Sequence, residues 1–479
     1  MPILPVTCRH FLLWLVLSSV PPLCQTAIAQ PLAVQAVGQG TPKANRPNIL
    51  LIIVDDLGFA DLACLGSDDM RTPNIDQLFA DSLRLSRFYA NCPVCSPTRA
   101  SVMTGCYPDR VGVPGVIRTH DENSWGYFSP RTKTLPQRLR ELGYDTAAIG
   151  KWHLGLRPEN HPQSRGFSSF KGFLGDMMDD YYSHRRHDIN YMRDGREEID
   201  PQGHASDLFS QWAVDFVQSR SLVKEQGRAP WFLYLAYNAP HTPIQPPEDW
   251  LRKVKARQSG ISDRRAALVA LIEHMDAGIA KVIGALRDSG QYDNTVIVFT
   301  SDNGGQVNVG ANNGPLRDGK QAMYEGGLRI PGCIRVPGKT AAGWSTDALC
   351  CTADFQPTLV QIAGGKPQNG IDGVSLAPVL ADPEAAWPPR ELYFVRREGG
   401  TRYAGLTTEA LLHGNYKLVH NLPTKKLELF DLAKDPAETT DLAEQQPKMF
   451  REMVSRLQLH IQRGGMVPWQ KESPARQSD

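Results

Sequence analysis

The chain has 479 residues, enough for several ordinary domains or for one large domain with a smaller companion. Apolar residues make up 41% of it and charged residues 22%, which excludes wholesale disorder and allows a large buried core. Lys and Arg number 52 against 51 Asp and Glu, a formal net charge of +1. This balance gives no global attraction to nucleic acid or anionic membranes, so an anionic substrate must be attracted by a local cluster of cations.

The N-terminus has the pattern of a targeting segment. The apolar stretch 11–20 follows a positively charged start and precedes the small-x-small site Ala27–Ala29, which is typical of a secretory signal peptide. The stretch is too short to span a bilayer, and we expect no membrane span. We predict a signal peptide at 1–29 and a flexible lead-in at 30–46. No Asn lies in an Asn-x-Ser/Thr pattern, which favours a bacterial periplasmic or secreted protein.

Four apolar runs predict buried strands, and polar residues follow each of them. Continuous apolar runs without alternation fit a sheet that is covered on both faces. The runs and the polar residues after them are Asn48–Val54 with Asp55 and Asp56, Tyr144–Ile149 with Lys151 and His153, Trp231–Tyr237 with His241, and Thr295–Thr300 with Asp302 and Asn303.

Helical patterns between these runs, such as the apolar spacing in 264–287, predict an α/β fold with a mostly parallel central sheet flanked by helices. Ligands bind beyond the carboxyl ends of the strands in such sheets. We therefore expect the four polar clusters to meet at one rim.

The character of the chain changes after residue 365. Short strand-like segments and a final helix after Pro447 predict a small C-terminal α+β domain with an antiparallel sheet. The predicted strands are Glu391–Val395, Tyr403–Thr407, Tyr416–His420 and Lys426–Asp431. The predicted domains are a catalytic domain at 47–365, the small domain at 366–465 and a tail at 466–479.

The stretch around Cys95 carries the most information. Pro97 is placed for the first turn of a helix with Ser96 as its cap, so Cys95 would lie at a helix N-terminus, where anions bind. Arg99 lies one turn further and faces the same end. Seven cysteines follow the signal peptide, an odd number that suggests one thiol with another task. A capped helix with a buried Cys and a surface Arg is the alternative.

The run Cys95–Arg99 (CSPTR), followed by ASVMTG, resembles the Cys-x-Pro-x-Arg signature of the type I sulfatases. Thr98 stands where many members have Ser. The resemblance covers residues 46–465 and includes further motifs in the family's order. These are Pro47–Ile49, Asp55-Asp56, Thr72–Asp76, Gly150–His153, Pro240–Pro243, Ser301–Gly304, Gly319-Lys320 with Glu325–Arg329, and Leu427–Leu442. The arylsulfatase and N-acetylgalactosamine-6-sulfatase branch is the most similar in pattern.

The resemblance implies an alkaline-phosphatase-like fold and a sulfuric ester hydrolase acting on a sulfated carbohydrate or an aryl sulfate. It implies that a formylglycine-generating enzyme oxidises Cys95 to formylglycine. The hydrated aldehyde would attack the sulfate sulfur, leaving a sulfated hemiacetal that expels sulfate and restores the aldehyde. Oligomeric state, the sugar and the sulfate position are left open.

The resemblance also implies the roles of individual residues. Asp55, Asp56, Asp302 and Asn303 offer only oxygen ligands, which suit a hard cation. The family favours one Ca²⁺ per chain, with an oxygen of modified Cys95 in its shell. The implied catalytic residues are Cys95, Arg99, Lys151, His153, His241 and Lys320. Arg99 would hold the hydrated aldehyde, and Lys151 and Lys320 would bind sulfate oxygens. His153 would be the base for hemiacetal collapse, and His241 would donate a proton to the departing oxygen.

Two other functions stay open. Phosphatases and phosphodiesterases of this fold typically have Asp-His where this chain has Asp302-Asn303, so a formylglycine-dependent phosphate or phosphonate ester hydrolase is the enzymatic alternative. A non-catalytic binder of sulfated glycans is the other, although no nucleophile or metal ligand is missing. Substrate specificity is predicted to lie in loop 107–134, with Arg118, His120, Trp125 and Tyr127, and in loop 157–205, with Asp179–Tyr182, His184–His187 and His204.

Overall fold

The computed structural model describes residues 46–120, 123–221, 229–399 and 406–465, which form eighteen strands and ten α-helices. The predicted signal peptide, most of the lead-in and the tail lie outside the described residues. The strands are β1 (Asn48–Val54), β2 (Leu83–Leu85), β3 (Phe88–Tyr89), β4 (Asp145–Lys151), β5 (Ser169–Phe173), β6 (Arg185–Arg186), β7 (Ile189–Asn190), β8 (Met192–Asp194), β9 (Glu197–Glu198), β10 (Trp231–Ala236), β11 (Thr295–Ser301), β12 (Gly332–Arg335), β13 (Ser345–Thr346), β14 (Cys350–Cys351), β15 (Glu391–Glu398), β16 (Leu406–His413), β17 (Tyr416–Asn421) and β18 (Lys426–Asp431). The helices are α1 (Pro73–Ala80), α2 (Cys95–Thr104), α3 (Leu135–Glu141), α4 (Ala205–Ser221), α5 (Glu248–Arg257), α6 (Asp263–Asp288), α7 (Glu325–Leu328), α8 (Phe355–Ile362), α9 (Ala377–Ala381) and α10 (Pro447–Gly464).

A ten-stranded sheet lies at the centre of the fold, in the order β13-β2-β12-β11-β1-β10-β4-β5-β8-β9. β1 pairs in parallel with β10 and β11, and β4 extends this parallel block between β10 and β5. β12, β8 and β9 join in antiparallel fashion on the two sides. The mostly parallel sheet is confirmed, whereas the antiparallel strands on its flanks were not predicted.

The four predicted strands are all present, with small shifts at their ends. β1 matches its prediction and is buried along its whole length, which requires cover on both faces of the sheet. β4 begins one residue later than predicted, because the Tyr144 amide bonds back to Leu139 in the turn after α3. β4 also continues through Gly150 to Lys151. Gly150 has φ 98°, and a Cβ there would lie 1.9 Å from the carbonyl oxygen of Ala236, so only glycine fits.

The long helix predicted at 264–287 is α6. The Ser262 hydroxyl accepts a hydrogen bond from the Arg265 amide and caps its N-terminus. α6 packs against α4, α5 and α1, while α2 packs against α3 and α8. Because α2 begins beside the carboxyl ends of the central strands, the folding of this layer brings Cys95 to the predicted rim.

The C-terminal sheet is antiparallel, in the order β15-β16-β17-β18, and α10 packs on β16 and β17. Of the strand predicted at Tyr403–Thr407, residues 403–405 lie outside the described residues, while Leu406 and Thr407 belong to β16, which continues to His413 and is buried over Thr408–Leu412. Glu409–Leu412 are good helix formers, and pairing with β15 and β17 along their length overrides that local preference. None of the helices in the described ranges has the length and apolar character needed to cross a bilayer.

Candidate active site

α2 begins at Cys95, two residues earlier than Pro97 suggested. Its N-cap is Val94, and Ser96 is not the cap that the sequence predicted. The Ser96 hydroxyl is instead engaged by distant residues, since it accepts from the Ile117 amide at 3.1 Å and lies 2.8 Å from His153 Nε2. No side chain caps the first amides of α2, so they remain available to an anion beside Cys95.

Polar residues from the four central strands meet around Cys95, as their positions in the sequence predicted. Asp55 and Asp56 follow β1, and Asp302 and Asn303 follow β11. The ends of these two strands are joined by a backbone hydrogen bond from Asp302 N to Val54 O at 3.1 Å. Ligand atoms of Asp55, Asp56, Cys95 and His241 all lie within 4.8 Å of one another. The structure therefore places the nucleophile candidate and the acidic candidates in one cluster.

Arg99 forms ion pairs with the carboxylates of this cluster. Its side chain is fully buried, and Nε and Nη2 lie 2.9 and 2.7 Å from Asp302 Oδ2. Nη2 also lies 3.8 Å from Asp55 Oδ1, and Nη1 contacts the Tyr234 hydroxyl at 3.4 Å. Burial is the largest influence and opposes its charge, but Asp302, Tyr234 and Asp55 together outweigh burial and raise the pKa of Arg99. Arg99 is thus a buried cation, which excludes the alternative of a helix that carries this arginine on its surface.

Two lysines complete the set of cations. Lys151 Nζ donates to Asp55 Oδ2, and Lys320 Nζ donates to Asp56 Oδ2 at 2.7 Å. Burial is the largest influence and acts against the charge of Lys320, but Asp56, Cys95 and Asp55 together outweigh burial and raise its pKa. Three carboxylates (Asp55, Asp56, Asp302) thus face three cations (Arg99, Lys151, Lys320).

Several oxygens at this rim fit a hard cation. Asp55 Oδ1 and Asn303 Oδ1 are buried and have no hydrogen-bond partner among the described residues. Asn303 Nδ2 donates to Asp56 Oδ1 at 2.8 Å and to Gly304 O at 2.9 Å, which leaves Oδ1 for another ligand. Asp302 Oδ1 accepts only a long bond of 3.3 Å from the Asp56 amide. Oxygen donors of this kind suit Ca²⁺ or Mg²⁺ and do not suit zinc.

The electrostatics of the carboxylates agree with this fit. Burial raises the pKa of Asp302 to about 7, and the charge of Asp55 adds to the effect. Burial also acts to raise the pKa of Asp55, but Lys151, His241 and Arg99 outweigh it and hold that pKa well below its usual value. A bound cation would favour the ionised form of both groups.

The Cys95 thiol is not activated by its place at the helix N-terminus. Burial, followed by the charge of Asp55, raises the pKa of the thiol well above its usual value. Cys95 is 3% exposed, and the described cysteines are all free thiols. An unmodified thiol here is a poor nucleophile, because the thiolate is the reactive form.

His153 is held in one tautomer by two neighbours. Its Nε2 lies 2.8 Å from the Ile117 carbonyl oxygen and 2.8 Å from the Ser96 hydroxyl. A carbonyl oxygen only accepts, so Nε2 carries the proton and Nδ1 carries the lone pair. Nδ1 is buried without a partner in the described part of the chain. Burial, then the charges of Lys151 and Arg99, lowers the pKa of His153 well below its usual value, so the ring is a neutral base.

His241 has the opposite tautomer. Its Nδ1 lies 2.7 Å from the Thr242 carbonyl oxygen and donates to it, and Nε2 lies 3.6 Å from Asp56 Oδ2. Burial and the charge of Lys320 lower the pKa of His241. The neutral ring therefore presents an acceptor at Nε2, and donation to a leaving oxygen requires that Nε2 first gains a proton.

A cavity of about 410 Å³ opens above Cys95, and we call it the active-site cavity. It is lined by Val94, Cys95, Val116, Arg118, Thr119, His120, Asn123, His153, Asp176, Met177, Arg186, His187, His241, Thr242, Gln306, Lys320, Gln321 and Arg396. The two predicted specificity loops contribute Arg118, His120, Arg186 and His187 to this wall. The structure does not bring Trp125, Tyr127, Asp179–Tyr182, His184 or His204 into it.

Sequence reasoning missed three residues around this cavity. Ser96 orients His153, Gln321 reaches the wall from the Lys320 loop, and Arg396 reaches it from β15 of the C-terminal sheet. The Arg396 guanidinium bonds to Glu398 at 2.8 Å, and Arg118 bonds to the same carboxylate at 2.6 Å. No local sequence pattern indicates that a strand residue of a separate sheet belongs to the site. The only indication for Arg396 was that an arginine occurs in a buried strand.

The fold and the cluster together indicate a hydrolase of the alkaline-phosphatase-like fold, with Cys95 at a helix N-terminus beside buried oxygens that could hold a cation. The chain belongs to the sulfatase family. The family model described as Sulfatase matches residues 47–365, and the model described as N-sulphoglucosamine sulphohydrolase, C-terminal, matches residues 318–464. The resemblance noted in the sequence is thereby confirmed, and the chain is a sulfatase.

Named relatives agree with this assignment. N-acetylgalactosamine-6-sulfatase of Canis lupus familiaris is 31% identical over 410 residues, covering 81% of this chain and 74% of the relative. Arylsulfatase A of Homo sapiens is 30% identical over 456 residues, covering 85% of each. Among solved structures, Ps i-CgsB in complex with k-i-k-neocarrahexaose has a TM-score of 0.79 at 31% identity, covering 88% of this chain and 93% of that one.

Proposed function

We propose that this sulfatase removes sulfate from a sulfated carbohydrate, using a formylglycine made from Cys95 and one bound Ca²⁺. The observation that carries the proposal is the cluster around Cys95. Arg99, Lys151 and Lys320 pair there with Asp302, Asp55 and Asp56, while Asp55 Oδ1 and Asn303 Oδ1 have no hydrogen-bond partner among the described residues. Aryl sulfates are the simpler substrates of the same chemistry.

Asp55, Asp56, Asp302, Asn303 and an oxygen on residue 95 would hold the Ca²⁺, which supplies positive charge beside the sulfate group. Three carboxylates and three cations balance at this rim without the ion. With the ion, the site is net positive, which favours binding of an anionic ester in a chain whose total charge is near zero.

Formylglycine supplies a hydrated aldehyde whose hydroxyl attacks sulfur, and it requires a formylglycine-generating enzyme during maturation. The raised pKa of the Cys95 thiol supports the modification, because the unmodified side chain would be neither a good hard-metal ligand nor a good nucleophile. Export through a signal peptide to a periplasm or beyond the cell belongs to the same proposal.

The remaining residues bind the sulfate group and move protons. Lys151 and Lys320 donate to sulfate oxygens, and Arg99 keeps Asp302 in place next to residue 95. His153 accepts a proton at Nδ1, the atom that its bonds to Ser96 and Ile117 leave free. His241, once protonated at Nε2, gives that proton to the departing alcohol oxygen.

A carbohydrate substrate is supported by the relatives and by the cavity. One relative is named for a sulfated N-acetylgalactosamine, and a solved neighbour holds an oligosaccharide. The active-site cavity of about 410 Å³ is within the range of roughly 300–1,000 Å³ that small-molecule sites occupy. Its wall carries arginines and paired histidine rings, with His120 and His187 centroids 4.8 Å apart, which suit an anionic sugar.

The test compares sulfate and phosphate esters of one nitrophenol, followed by a panel of defined sulfated mono- and oligosaccharides. We expect turnover of the sulfate ester and of at least one sulfated sugar, with the phosphate ester slower by a hundred-fold or more, on the order of 3 kcal/mol in transition-state binding. Preferred hydrolysis of the phosphate ester would replace the proposal with the phosphatase alternative. Binding of sulfated sugars without turnover by modified, calcium-loaded protein would favour the non-catalytic binder.

A further inference from the structure

A second cavity adjoins the active-site cavity. It has a volume of about 870 Å³ and lies between the 306–324 loop and the C-terminal sheet. The two cavities share Gln306, Lys320, Gln321 and Arg396 in their linings. The two cavities therefore adjoin across these four residues, and we refer to them together as the groove. We call the second space the side cavity.

The side cavity is lined mainly by amides and small groups. Its residues outside the shared set are Val307, Asn308, Ala311, Asn312, Asn313, Gly314, Leu316, Asp318, Gly319, Ala322, Met323, Tyr324, Leu406, Thr408, Val419 and Asn421. They include no cation, and Asp318 is the acidic residue among them. The positive groups of the groove therefore lie in the active-site cavity or at its junction with the side cavity. Lys320 and Arg396 place positive charge at the junction, so an anionic group is favoured there and in the active-site cavity, and it is disfavoured beyond the junction, where Asp318 is the charged residue of the lining.

Thr408 gives the side cavity an unmet hydrogen-bonding group. The residue is 7% exposed, and its Oγ1 has no partner in the ranges that the structure describes. A buried hydroxyl without a partner costs free energy, which a hydroxyl of a bound ligand would recover. Asn421 follows on the next strand, directly opposite Thr408 in the sheet, so an amide and a hydroxyl face the same space.

Gln321 marks the junction between the two spaces. It is exposed and has φ 80°, a conformation that non-glycine residues rarely adopt. Two bonds hold it there, from its amide to the Pro93 carbonyl at 2.8 Å and from Arg396 Nη1 to its own carbonyl at 2.9 Å. Pro93 lies two residues before Cys95, so this hydrogen bond fixes the position of Gln321 relative to Cys95. Strained backbone of this kind is concentrated at binding sites.

We propose that the groove binds a carbohydrate chain, with the sulfated sugar in the active-site cavity and an uncharged neighbouring sugar in the side cavity. The inference rests on the proposed function and extends it to the substrate's size and charge pattern. Amides, a hydroxyl and the Tyr324 ring recognise sugar hydroxyls and ring faces, and Asp318 repels a second sulfate on the neighbouring sugar.

The test compares two substrates, the best mono-sulfated trisaccharide of the panel and the matching sulfated monosaccharide. The variant Asn421→Trp fills the side cavity, and Thr408→Val removes the unpartnered hydroxyl with little change in shape. Asn415→Trp is the matched control, because Asn415 is an exposed amide in the turn between β16 and β17 and lines neither cavity.

We expect Asn421→Trp to lower kcat/KM for the trisaccharide at least ten-fold more than for the monosaccharide, mainly by raising KM. We expect Thr408→Val to lower kcat/KM for the trisaccharide two- to five-fold more than for the monosaccharide. The control should leave the ratio of the two substrates unchanged. An equal loss of kcat/KM on both substrates, or no loss on the trisaccharide in either variant, would contradict the proposal that the groove binds a neighbouring sugar.

Binding of the trisaccharide to Cys95→Ala protein separates this proposal from the proposed function, since it needs no turnover. Weaker binding after adding Asn421→Trp supports the groove even if hydrolysis fails, and unchanged binding contradicts it. A trisaccharide with a second sulfate on the neighbouring sugar should bind more weakly, and Asp318→Asn should recover part of the loss. Tighter binding of the doubly sulfated sugar would refute the charge pattern.

Discussion

His153 Nε2 lies 2.8 Å from the hydroxyl of Ser96, the residue that directly follows Cys95. The same hydroxyl accepts from the Ile117 amide, and the Ile117 carbonyl accepts from His153, so two neighbours hold the ring with Nδ1 unprotonated. The proposed base is therefore oriented by the same motif that carries the proposed nucleophile.

Ser96→Ala tests this orientation. We expect kcat to fall about ten-fold on both aryl and sugar sulfates, because the ring loses one of two contacts that set its tautomer. The pH profile of kcat should also shift, which a purely structural defect would not cause. Ser101→Ala is the control, since Ser101 lies on the same helix and its buried hydroxyl has no described partner. The fraction of modified Cys95 must be equal in all samples, and unchanged kcat in Ser96→Ala would contradict the role.

Cys95→Ala should abolish turnover, by at least about a thousand-fold, while the protein stays folded. The thiol is buried with a raised pKa and makes no hydrogen bond that the fold requires, so its loss should have a small effect on unfolding. Cys95→Ser should be equally inactive if the modifying enzyme accepts only Cys. Mass spectrometry of the wild-type peptide should show sulfur replaced by oxygen together with the loss of two hydrogens, and substantial sulfatase activity in Cys95→Ala would exclude residue 95 as the nucleophile.

Elemental analysis should find one Ca²⁺ per chain and little zinc. Chelation should remove activity and lower the thermal midpoint, because Asp55, Asp56 and Asp302 would then share one buried rim without their cation. Asn303→Ala should weaken calcium binding about ten-fold or more by removing the unpartnered Oδ1. Asn415→Ala, on the exposed turn, is the matched control. Stoichiometric zinc would contradict the all-oxygen site.

The two histidines should differ in their substrate dependence. A nitrophenol leaves without much protonation and a sugar hydroxyl does not, so His241→Ala should slow sugar sulfates more than nitrophenyl sulfate, by about ten-fold or more. His153→Ala should slow both, and protein carrying a covalent sulfate should accumulate, visible by intact mass. If His241→Ala lost activity equally on the two esters, His241 would not be the donor to the departing alcohol. If His153→Ala slowed alcohol release and trapped no covalent sulfate, His153 would not be the base for sulfate release.

His204 should make stability depend on pH outside the active site. Burial, then the charge of His274, lowers its pKa to about 4, and Nε2 lies 3.1 Å from the Gln245 carbonyl oxygen. The unfolded chain binds this proton near pH 6.5, so the stabilisation is complete above pH 6.5 and is lost as pH falls toward 4. The loss is on the order of 1–3 kcal/mol.

Urea unfolding at pH 7 and pH 4.5 measures this effect. His204→Gln retains a donor for Gln245 and removes the titration, so its stability should fall less between the two pH values than that of the wild type. His413→Gln, in the C-terminal sheet, controls for loss of a histidine elsewhere. Parallel losses in the wild type and His204→Gln would contradict the prediction.

The central strands and the acidic pairs at their ends were predictable from local patterns. β1 and β11 are continuous apolar runs, and parallel pairing places their carboxyl ends at the same edge, so Asp55 and Asp302 had to lie close together. The extension of β16 beyond Thr407 to His413 was not predictable in the same way. Glu409–Leu412 favour a helix locally, and the pairing partners that make them a strand lie in other parts of the chain.

The sequence by itself determined the family signature, the α/β class and the identity of the residues around Cys95, because these depend on residue type, spacing and strand periodicity. Tertiary structure alone decided that Ser96 orients His153, that Arg99 is an internal cation, and that Gln321 and Arg396 join two cavities. Such contacts depend on packing between segments far apart in the chain, where burial and long-range hydrogen bonds override what neighbouring residues prefer.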